Sequence, residues 1–522
     1  MKFKFSNRSL AVVCAGLYLA YSMGLALFSR EGFPGDMRYG AGMPYLSDKP
    51  VGEDGFYMLT VAWHFAEGEG MSYNLGRVTT GIQPLAVWIY AGIAGLVQSS
   101  GGDRFLFVRF VIMFGSVTLV MFAFLMKRIA GRLGSQAGLD SERVGMWAFI
   151  LSLYNFWLFR LFTYGLETGI YLVLIAACML FALRCMERKA GLIGAALLGT
   201  AAGVAGLARI DFGIIFGVYL LLSFVRKRGR NILTAVSGVI AFLIVAPWFQ
   251  WVHTQTGRWM PSSGSAQMKF IGIDGFFPRF HALISAVVEN GVPWFYTGGR
   301  TGLMWVAVFS AVILLFWFRK NMHCIVSPVS DSLLVAADWL AGVMCLLCIY
   351  VLWFSSLHFL GRYSAPLILF AVMFWSVLFG AGMSIRFVPV VPLLFFIFAL
   401  LSLHIGRTGN SHAVTAGFLK DNCPETVRVG AFQSGVVGFF SPNVVNLDGK
   451  IDAEALRHRM RGDMGAYIDE QKVDMVVDWP EYINEFLGEK CLESNWEPYR
   501  PGILSNGSIC IVRKKLKERS DH

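Results

Sequence analysis

Residues 52–57, Gly-Glu-Asp-Gly-Phe-Tyr, place two adjacent carboxylates directly before an apolar segment. Residues 56–66 contain no helix-breaking residue and are soon followed by glycines, which predicts a helix that begins near Asp54. Asp54 is then a candidate N-cap, because its carboxylate can accept the free backbone N–H groups of a first turn. Glu53 is a second acid that a cap does not require. The stretch is therefore either a structural cap or a functional acid pair.

The composition indicates a membrane protein. Of the 522 residues, 56% are hydrophobic and only 15% are charged, and the mean hydropathy is +0.56. These values are too apolar for a soluble protein of this length. Several stretches of about 18 or more residues carry no charge, which is enough to cross ~30 Å of hydrocarbon as a helix. We therefore expect a polytopic α-helical membrane protein.

The positive charge is explained by membrane topology rather than by nucleic acid. The formal charge is +11, but the basic residues fall in short clusters between apolar segments. Lys2, Lys4 and Arg8 precede the first apolar segment, so the N-terminus is expected in the cytoplasm. No small-residue cleavage site closes residues 9–28, which predicts a retained first helix rather than a removed signal peptide. No nucleic-acid partner is expected.

The apolar segments predict about eleven transmembrane helices. They lie near residues 9–28, 105–126, 144–163, 168–184, 191–208, 212–225, 231–251, 302–318, 332–356, 363–384 and 387–404. Segment 82–97 is assigned to a juxtamembrane or re-entrant helix, because one more span there would invert the side of every later basic cluster. The transmembrane domain then covers residues 1–404, with a first outer loop at 29–104.

Residues 405–522 change to a mixed polar composition and predict a soluble α/β domain. Predicted strands lie at 427–431, 444–448, 473–478 and 509–512, and predicted helices at 432–440, 452–471 and 480–488. An odd number of spans places this domain outside the cytoplasm. In an oxidising compartment one disulfide can form among Cys423, Cys491 and Cys510, and the sequence leaves the pairing open.

Ionisable residues at membrane depth are costly, so those that remain are candidates for function. With the topology above, they all fall on the outer face. The candidates are His64, Glu167, Arg209, Asp211, Lys269, Arg362 and Tyr363. Each has a structural alternative: packing for His64, a helix cap for Glu167, a mutual ion pair for Arg209 with Asp211, and interfacial anchoring for Arg362 with Tyr363.

Acids and arginines on one membrane face suit transfer of a sugar from a lipid phosphate. Arginine binds phosphate in a bidentate way. A carboxylate can orient or deprotonate an acceptor hydroxyl, and it can stabilise an oxocarbenium-like centre. An Asp at a helix N-terminus has a lowered pKa and is a weaker base. Electrostatic and cation-binding roles therefore stand beside proton abstraction for Asp54, and Glu53 with Asp54 is the candidate site for Mg²⁺, Mn²⁺ or Ca²⁺.

Eight short motifs, spread in order along nearly the whole chain, point to one family. They are residues 53–57, 80–85, 165–171, 207–211, 261–264, 362–366, 430–435 and 446–449. In these motifs the chain resembles the GT-C superfamily of integral-membrane glycosyltransferases, and more closely the bacterial arabinofuranosyltransferases and protein-mannosyltransferase-like enzymes. The chain has Glu53 where an Asp-Asp pair is common in the family, so the resemblance favours Asp54 as the catalytic acid.

The resemblance implies a glycosyltransferase of the bacterial inner membrane. The sugar, a pentofuranose such as arabinofuranose or a hexose, would move from a polyprenyl-phosphate donor to a periplasmic glycan, lipid or protein acceptor. The implied catalytic residues are Asp54 and Glu53. The implied donor-binding residues are Arg209, Arg362, Tyr363 and Lys269, and those that orient the sugar or acceptor are Glu167, Asp211, Gln83 and His64. The alternative is a membrane transporter, although the sequence shows no internal repeat.

Overall fold

The structure of the chain is a computed structural model. It describes residues 7–39, 42–185, 191–226, 231–267, 276–292, 330–353, 360–382, 389–407, 412–488, 492 and 495–514. Three features named above, Lys269, Cys491 and the predicted helix 302–318, lie outside the described residues.

The N-terminal part of the chain is helical. Its helices are α1 (Asn7–Phe28), α2 (Glu53–Ala66), α3 (Pro84–Ser99), α4 (Arg104–Gln136), α5 (Ser141–Leu153), α6 (Phe156–Thr163), α7 (Thr168–Cys185), α8 (Gly191–Ala208), α9 (Phe212–Val225), α10 (Asn231–Thr256), α11 (Ser262–Gln267), α12 (Phe276–Gly291), α13 (Asp331–Trp353), α14 (Leu360–Tyr363), α15 (Leu367–Gly382) and α16 (Val390–Ala399), which a π-helix (Leu400–His404) continues. Within the described residues, every predicted membrane segment is helical over most of its length. The protein is a multi-pass membrane protein.

Among the described residues, six helices are long and apolar enough to cross a membrane: α1, α4, α7, α8, α10 and α13. A seventh span results if α5 and α6 form one span with a 58° bend. The prediction of one unbroken helix over 144–163 was wrong, because the Asn155 side chain accepts N–H groups of Trp157 and Leu158 and starts a new helix there. Helix α3 has 16 residues and lies below the length of a simple span.

Helix α2 begins earlier than the sequence pattern predicted. Glu53 is its first residue, and Gly52 is the N-cap, with no side chain bonded to the first turn. The prediction that Asp54 caps this helix was therefore wrong. The Gly52 N–H donates to the Tyr164 carbonyl at 3.3 Å, and a Cβ on Gly55 would lie 2.0 Å from the same oxygen. The first turn of α2 thus packs directly on the chain before α7, which fixes the position of Asp54.

This close approach gives a stability prediction. Gly55→Ala should lower the free energy of unfolding by about 1–3 kcal/mol, because the added methyl group must displace the backbone at Tyr164. The measurement is the melting temperature of the purified protein in detergent. Gly92→Ala on α3 is the matched control, since nothing lies within 4 Å of its added Cβ. Equal melting temperatures for the two variants would contradict the packing described here.

The C-terminal part folds as an α/β domain. Its helices are α17 (His412–Asn422), α18 (Gly435–Phe440), α19 (Ala453–Arg461), α20 (Met464–Glu470) and α21 (Pro480–Leu487), and its strands are β3 (Val429–Ala431), β4 (Val444–Asn446), β5 (Met475–Asp478), β6 (Trp496–Ile503) and β7 (Ile509–Arg513). The sheet order is β4-β3-β5-β7-β6. Strands β4, β3 and β5 are parallel, whereas β7 runs antiparallel to β5 and β6.

Two further details of this domain differ from the sequence-based expectation. Helix 452–471 was predicted as one element, but Gly462, with a φ of 74°, ends α19 and separates it from α20. Cys423 and Cys510 carry free thiols, so no disulfide joins the cysteines of this domain within the described residues. A short pair of antiparallel strands, β1 (Arg38–Tyr39) and β2 (Gly406–Arg407), ties the first outer segment to the start of the domain.

The domain docks on α2 and the start of α4. Phe439 and Phe440 of α18 pack against Phe56, with ring centroids 5.2 and 5.7 Å apart, and Phe440 stacks on Phe105 at 4.7 Å. The chain that leaves the carboxyl end of β3 contacts the N-terminus of α2, because the Gly435 and Val436 N–H groups donate to the Glu53 carboxylate. Loops at such strand ends are the usual place for functional side chains in α/β domains.

Candidate active site

Asp54 forms an ion pair with an arginine from the opposite end of the membrane domain. The Arg362 Nη1 donates to Asp54 Oδ2 at 2.8 Å, and both side chains are largely shielded from solvent, with 16% and 19% exposed. Arg362 is held by α14, and its guanidinium lies 5.3 Å from the ring centre of Tyr363. The structure thus brings together two predicted site residues that lie 308 positions apart in the chain.

A second, more deeply buried cluster surrounds Arg209, of which only 3% is exposed. Its guanidinium binds Asp211 through Nε, at 3.1 and 3.2 Å, and through Nη2 at 2.5 Å. Its Nη1 donates to Glu167 Oε1 at 2.9 Å. The Tyr350 hydroxyl bonds Asp211, and Arg209 Nη2 lies 3.2 Å from the same hydroxyl. Arg209 therefore donates hydrogen bonds to two carboxylates and a phenol.

Tyr363 connects the two ion-pair clusters. The Arg209 guanidinium lies 4.5 Å from its ring centre, close to the distance of a strong cation–π contact, and Arg362 lies 5.3 Å from the same ring. Tyr350 packs beside it with ring centroids 5.1 Å apart. The order Arg209, Tyr363, Arg362 and Asp54 thus forms a continuous line of contacts.

Of the two structural alternatives, the structure shows the ion pair expected for Arg209 but no cap of α7 by the Glu167 carboxylate within the described residues. The Glu167 carbonyl accepts the Tyr171 N–H and so starts α7, while its carboxylate binds Arg209. The expected pair of Arg209 with Asp211 forms as well. Glu167 is the partner that the sequence did not indicate, because it lies 42 residues before Arg209.

Two adjoining cavities meet at these residues. The larger has a volume of about 430 Å³ and the smaller about 100 Å³. Gln83, Ser263 and Tyr363 line both cavities. The larger cavity is walled mainly by apolar and aromatic side chains and holds Arg209, Asp211 and Tyr350, whereas the smaller one holds Asp54, Glu167, Arg362 and Lys450.

Lys450 is a site residue that the sequence reasoning missed. It comes from the C-terminal domain, in the turn after β4, and lies with Asp54 on the wall of the smaller cavity. Its ammonium group is 3.5 Å from Asp448 Oδ2. The sequence feature that could have indicated Lys450 is its position just after a strand of a parallel pair, because loops at such strand ends often carry functional groups.

Glu53 points away from Asp54. Its carboxylate accepts the backbone N–H groups of Gly435 and Val436, the latter at 3.1 Å, at the start of α18 in the C-terminal domain. The two adjacent acids therefore bind different N–H donors, and they do not form a shared cation site in this arrangement. A cation there stays a prediction that the geometry does not favour.

His64 lies on α2 within the packed interior. Its Nδ1 is 3.1 Å from the Ser72 carbonyl oxygen, and burial lowers the pKa of the imidazole, so His64 is neutral at pH 7. Its surroundings match the packing alternative, and a role in orienting the acceptor stays a prediction.

A group of three side chains that could hold a metal ion lies on the C-terminal domain instead. Ligand atoms of Glu454, His458 and Glu470 all lie within 4.8 Å of one another. Arg77 and Arg457 each form an ion pair with Glu454. Their positive charge at this carboxylate opposes the binding of a cation. The spacing of Glu454 and His458, four residues apart on α19, was the sequence signal for this group.

Comparison with known proteins agrees with this architecture. No curated protein matches the chain by sequence. A family model described as a domain of unknown function (DUF8728) matches residues 404–509. Among solved structures, ArnT from Cupriavidus metallidurans bound to undecaprenyl phosphate is similar with a TM-score of 0.57 and 11% identity, over 96% of this chain and 97% of that chain. The chain shares the fold of ArnT.

A second similar protein is the oligosaccharyltransferase of Archaeoglobus fulgidus. Its structure tethered to an acceptor peptide that contains the NVT sequon has a TM-score of 0.52 and 11% identity, over 97% of this chain and 74% of that chain. Its complex with Zn and sulfate has a TM-score of 0.52 and 13% identity, over 97% and 73%. At such identities the likeness establishes the fold alone.

Proposed function

We propose that the protein is a glycosyltransferase that moves a sugar from a polyprenyl-phosphate donor to an acceptor outside the cytoplasm. One observation carries this proposal: the Asp54–Arg362 ion pair lines a small cavity with other charged side chains, and Tyr363, next to Arg362, also lines the larger apolar cavity beside it. A lipid phosphate has the matching shape, an apolar chain that ends in an anion. The Asp54 carboxylate, on the wall of the smaller cavity, is placed to act on an acceptor hydroxyl.

The larger cavity suits the lipid part of such a donor. Its walls include Ile214, Phe249, Leu346 and Trp353, and the arginine–tyrosine line of contacts lies at one end. Ligand sites are commonly apolar cavities with a few convergent polar groups, and this one follows that pattern. The similarity to ArnT, which was solved with undecaprenyl phosphate bound, supports a polyprenyl phosphate as the occupant.

The geometry suggests an order of events at Asp54. In the structure Arg362 forms an ion pair with Asp54. A donor phosphate competes for the same guanidinium, which leaves the carboxylate available to the acceptor. The acceptor oxygen then attacks the anomeric carbon, the bond from that carbon to the phosphate oxygen breaks, and the polyprenyl phosphate leaves with the electron pair. Asp54 takes the acceptor proton.

The contacts that Arg209 makes with Asp211 and Glu167 change the role that the resemblance implied for it. Its guanidinium already donates to two carboxylates and to the Tyr350 hydroxyl, so a donor phosphate would compete with those partners. We assign Arg209 to holding Glu167 and Asp211 in fixed positions, where they can hydrogen-bond sugar hydroxyl groups. Arg362, which pairs with Asp54 at 2.8 Å on the wall of the smaller cavity, is the phosphate ligand in this proposal.

We propose the sugar and the acceptor as chemical classes, together with a cellular location. Arabinofuranose, another pentofuranose or a hexose fits the donor class, and a glycan, lipid or protein fits the acceptor class. We place the enzyme in the bacterial inner membrane, with the N-terminus cytoplasmic and residues 405–522 in the periplasm beside the transmembrane domain 1–404. Transfer of labelled sugar to a surface glycan supports this function, whereas uptake of a labelled solute into vesicles without transfer would favour a transporter.

Filling the larger cavity provides a separate test of the donor site. Ile349→Trp should raise the KM for the lipid donor about tenfold or more, because the indole occupies space that the polyprenyl chain needs. Leu352→Trp, at an exposed position on the same helix, is the matched control and should leave KM unchanged. KM is obtained from initial rates at varied donor concentration. An unchanged KM for Ile349→Trp would mean that the lipid binds outside this cavity.

A further inference from the structure

The C-terminal domain inserts a charged side chain into the cavity that holds the proposed catalytic acid. Gly449, with a φ of 79°, turns the chain after β4 and directs Lys450 toward the membrane domain. The Lys450 carbonyl oxygen contacts the first outer segment, since a Cβ on Gly81 would lie 2.3 Å from it. The same oxygen accepts a hydrogen bond from the Ser262 hydroxyl at 3.4 Å. The backbone of this turn is thus fixed by contacts outside its own domain.

Lys450 is a protonated amine at neutral pH. Burial alone would lower the pKa of its ammonium group, but the nearby carboxylates of Asp448 and Asp54 outweigh that effect and raise the pKa. The ammonium group is 3.5 Å from Asp448, the longest of the ion-pair distances at this site. The Lys450 backbone N–H donates to the other Asp448 oxygen at 2.7 Å, so Asp448 stays in place when the ammonium moves.

We propose that Lys450 binds the donor phosphate from the C-terminal domain, so that the site is complete only while this domain is docked. This inference rests on the proposed function. Arg209 is engaged by two acids, so Arg362 and Lys450 are the cations on the smaller cavity that can turn toward a phosphate. The leaving phosphate gains charge as the sugar departs, and a cation there stabilises that charge.

Glu53 is assigned a positioning role in the same arrangement. It holds the start of α18 through two backbone N–H groups, one residue before Asp54. The Tyr57 hydroxyl accepts the Ser434 N–H at 2.9 Å and donates to the Phe432 carbonyl at 3.3 Å, beside the same loop. One turn of α2 therefore carries both the proposed catalytic acid and the contacts that dock the domain supplying Lys450.

The first test measures binding of undecaprenyl phosphate to the purified full-length protein in detergent. Lys450→Met should weaken binding about tenfold or more, since a charge-assisted hydrogen bond is lost. Lys450→Arg keeps the charge and should stay within about threefold of wild type. Lys420→Met, at an exposed lysine of α17, is the matched control and should bind normally. The melting temperature without lipid should be unchanged in Lys450→Arg and Lys420→Met and lowered in Lys450→Met, because Asp448 loses its cation. Lys450→Met with Asp448→Asn removes that uncompensated charge, so it should regain melting temperature and still bind the lipid weakly.

The second test separates positioning from direct catalysis at Glu53. Glu53→Ala alone should weaken lipid binding, and Glu53→Ala with Lys450→Met should bind no more weakly than Lys450→Met alone. Gly435→Ala should reproduce the Glu53→Ala defect, because its Cβ would lie 2.1 Å from the Glu53 carbonyl oxygen. Additive losses in the double variant would overturn the positioning role.

The outcomes distinguish this inference from the proposed function. Wild-type protein that binds no undecaprenyl phosphate and transfers no sugar would remove the proposed function itself. Wild-type protein that binds the lipid, with Lys450→Met binding equally well, would overturn only the role of Lys450.

Discussion

Replacement of Asp54 by Asn is expected to reduce sugar transfer by about a thousandfold or more while the protein still inserts and still binds undecaprenyl phosphate. The amide keeps the shape of the side chain, but it cannot accept the acceptor proton, and general-base catalysis contributes roughly 10²–10⁴-fold. The substitution also releases Arg362 from its carboxylate partner. Lipid binding should therefore be as tight as in wild type or tighter. Turnover and binding are measured on the same preparation in vesicles.

A matched substitution controls for loss of a helix-terminal acid. Asp103 lies in the same outer segment and caps α4, with its side chain accepting the Leu106 N–H at 2.9 Å. Asn is an equally good cap, so Asp103→Asn should leave turnover and melting temperature near the wild-type values. Wild-type turnover in Asp54→Asn would remove Asp54 from the mechanism. Loss of lipid binding in that variant would show that the acid acts on the donor rather than on the acceptor.

Replacement of Arg209 by Met should have the largest effect on stability. The change leaves Glu167 and Asp211 without their cation in a buried site, and breaking a buried ion pair by removing one partner costs roughly 3–5 kcal/mol. The melting temperature of the purified protein is the measurement. Adding Glu167→Gln and Asp211→Asn to the same chain should recover part of the loss, because the uncompensated charges are then gone.

Arg77 provides the contrasting control. Its ion pair with Glu454 is partly exposed, with 29% and 37% of the side chains accessible, and surface pairs contribute about 0–1 kcal/mol. Arg77→Met should therefore change the melting temperature little. Comparable losses in Arg209→Met and Arg77→Met would mean that the Arg209 cluster does not stabilise the fold.

The sequence predicted the helices of the membrane domain well but not how they meet. Hydropathy identifies an apolar segment from its own residues, whereas the Asp54–Arg362 pair joins positions 308 residues apart. The acid pair was predicted as the centre of the site, and of the two acids Asp54 lines the smaller cavity. Its geometry could not be foreseen, because the direction of Glu53 depends on the docked position of Gly435, which no local pattern specifies.

In the sheet of the C-terminal domain, the sequence pattern likewise predicted some strands and missed another. The parallel strands β3, β4 and β5 were predicted from their short apolar runs, which are buried in the structure. Strand β6 was missed because it contains Pro498 and Pro501 and a glycine, residues that normally end strands. It lies at the edge of the sheet, where proline is tolerated, and its pairing with β7 shifts register after Pro498.

The most direct test of the proposed reaction is the analysis of polyprenyl-phosphate sugars in cells that lack the protein. We expect that one such lipid-linked sugar accumulates, that a surface glycan, lipid or protein loses the same sugar, and that wild-type protein but not Asp54→Asn reverses both changes. Unchanged lipid-linked sugars and surface glycans, together with altered uptake of a solute, would contradict it.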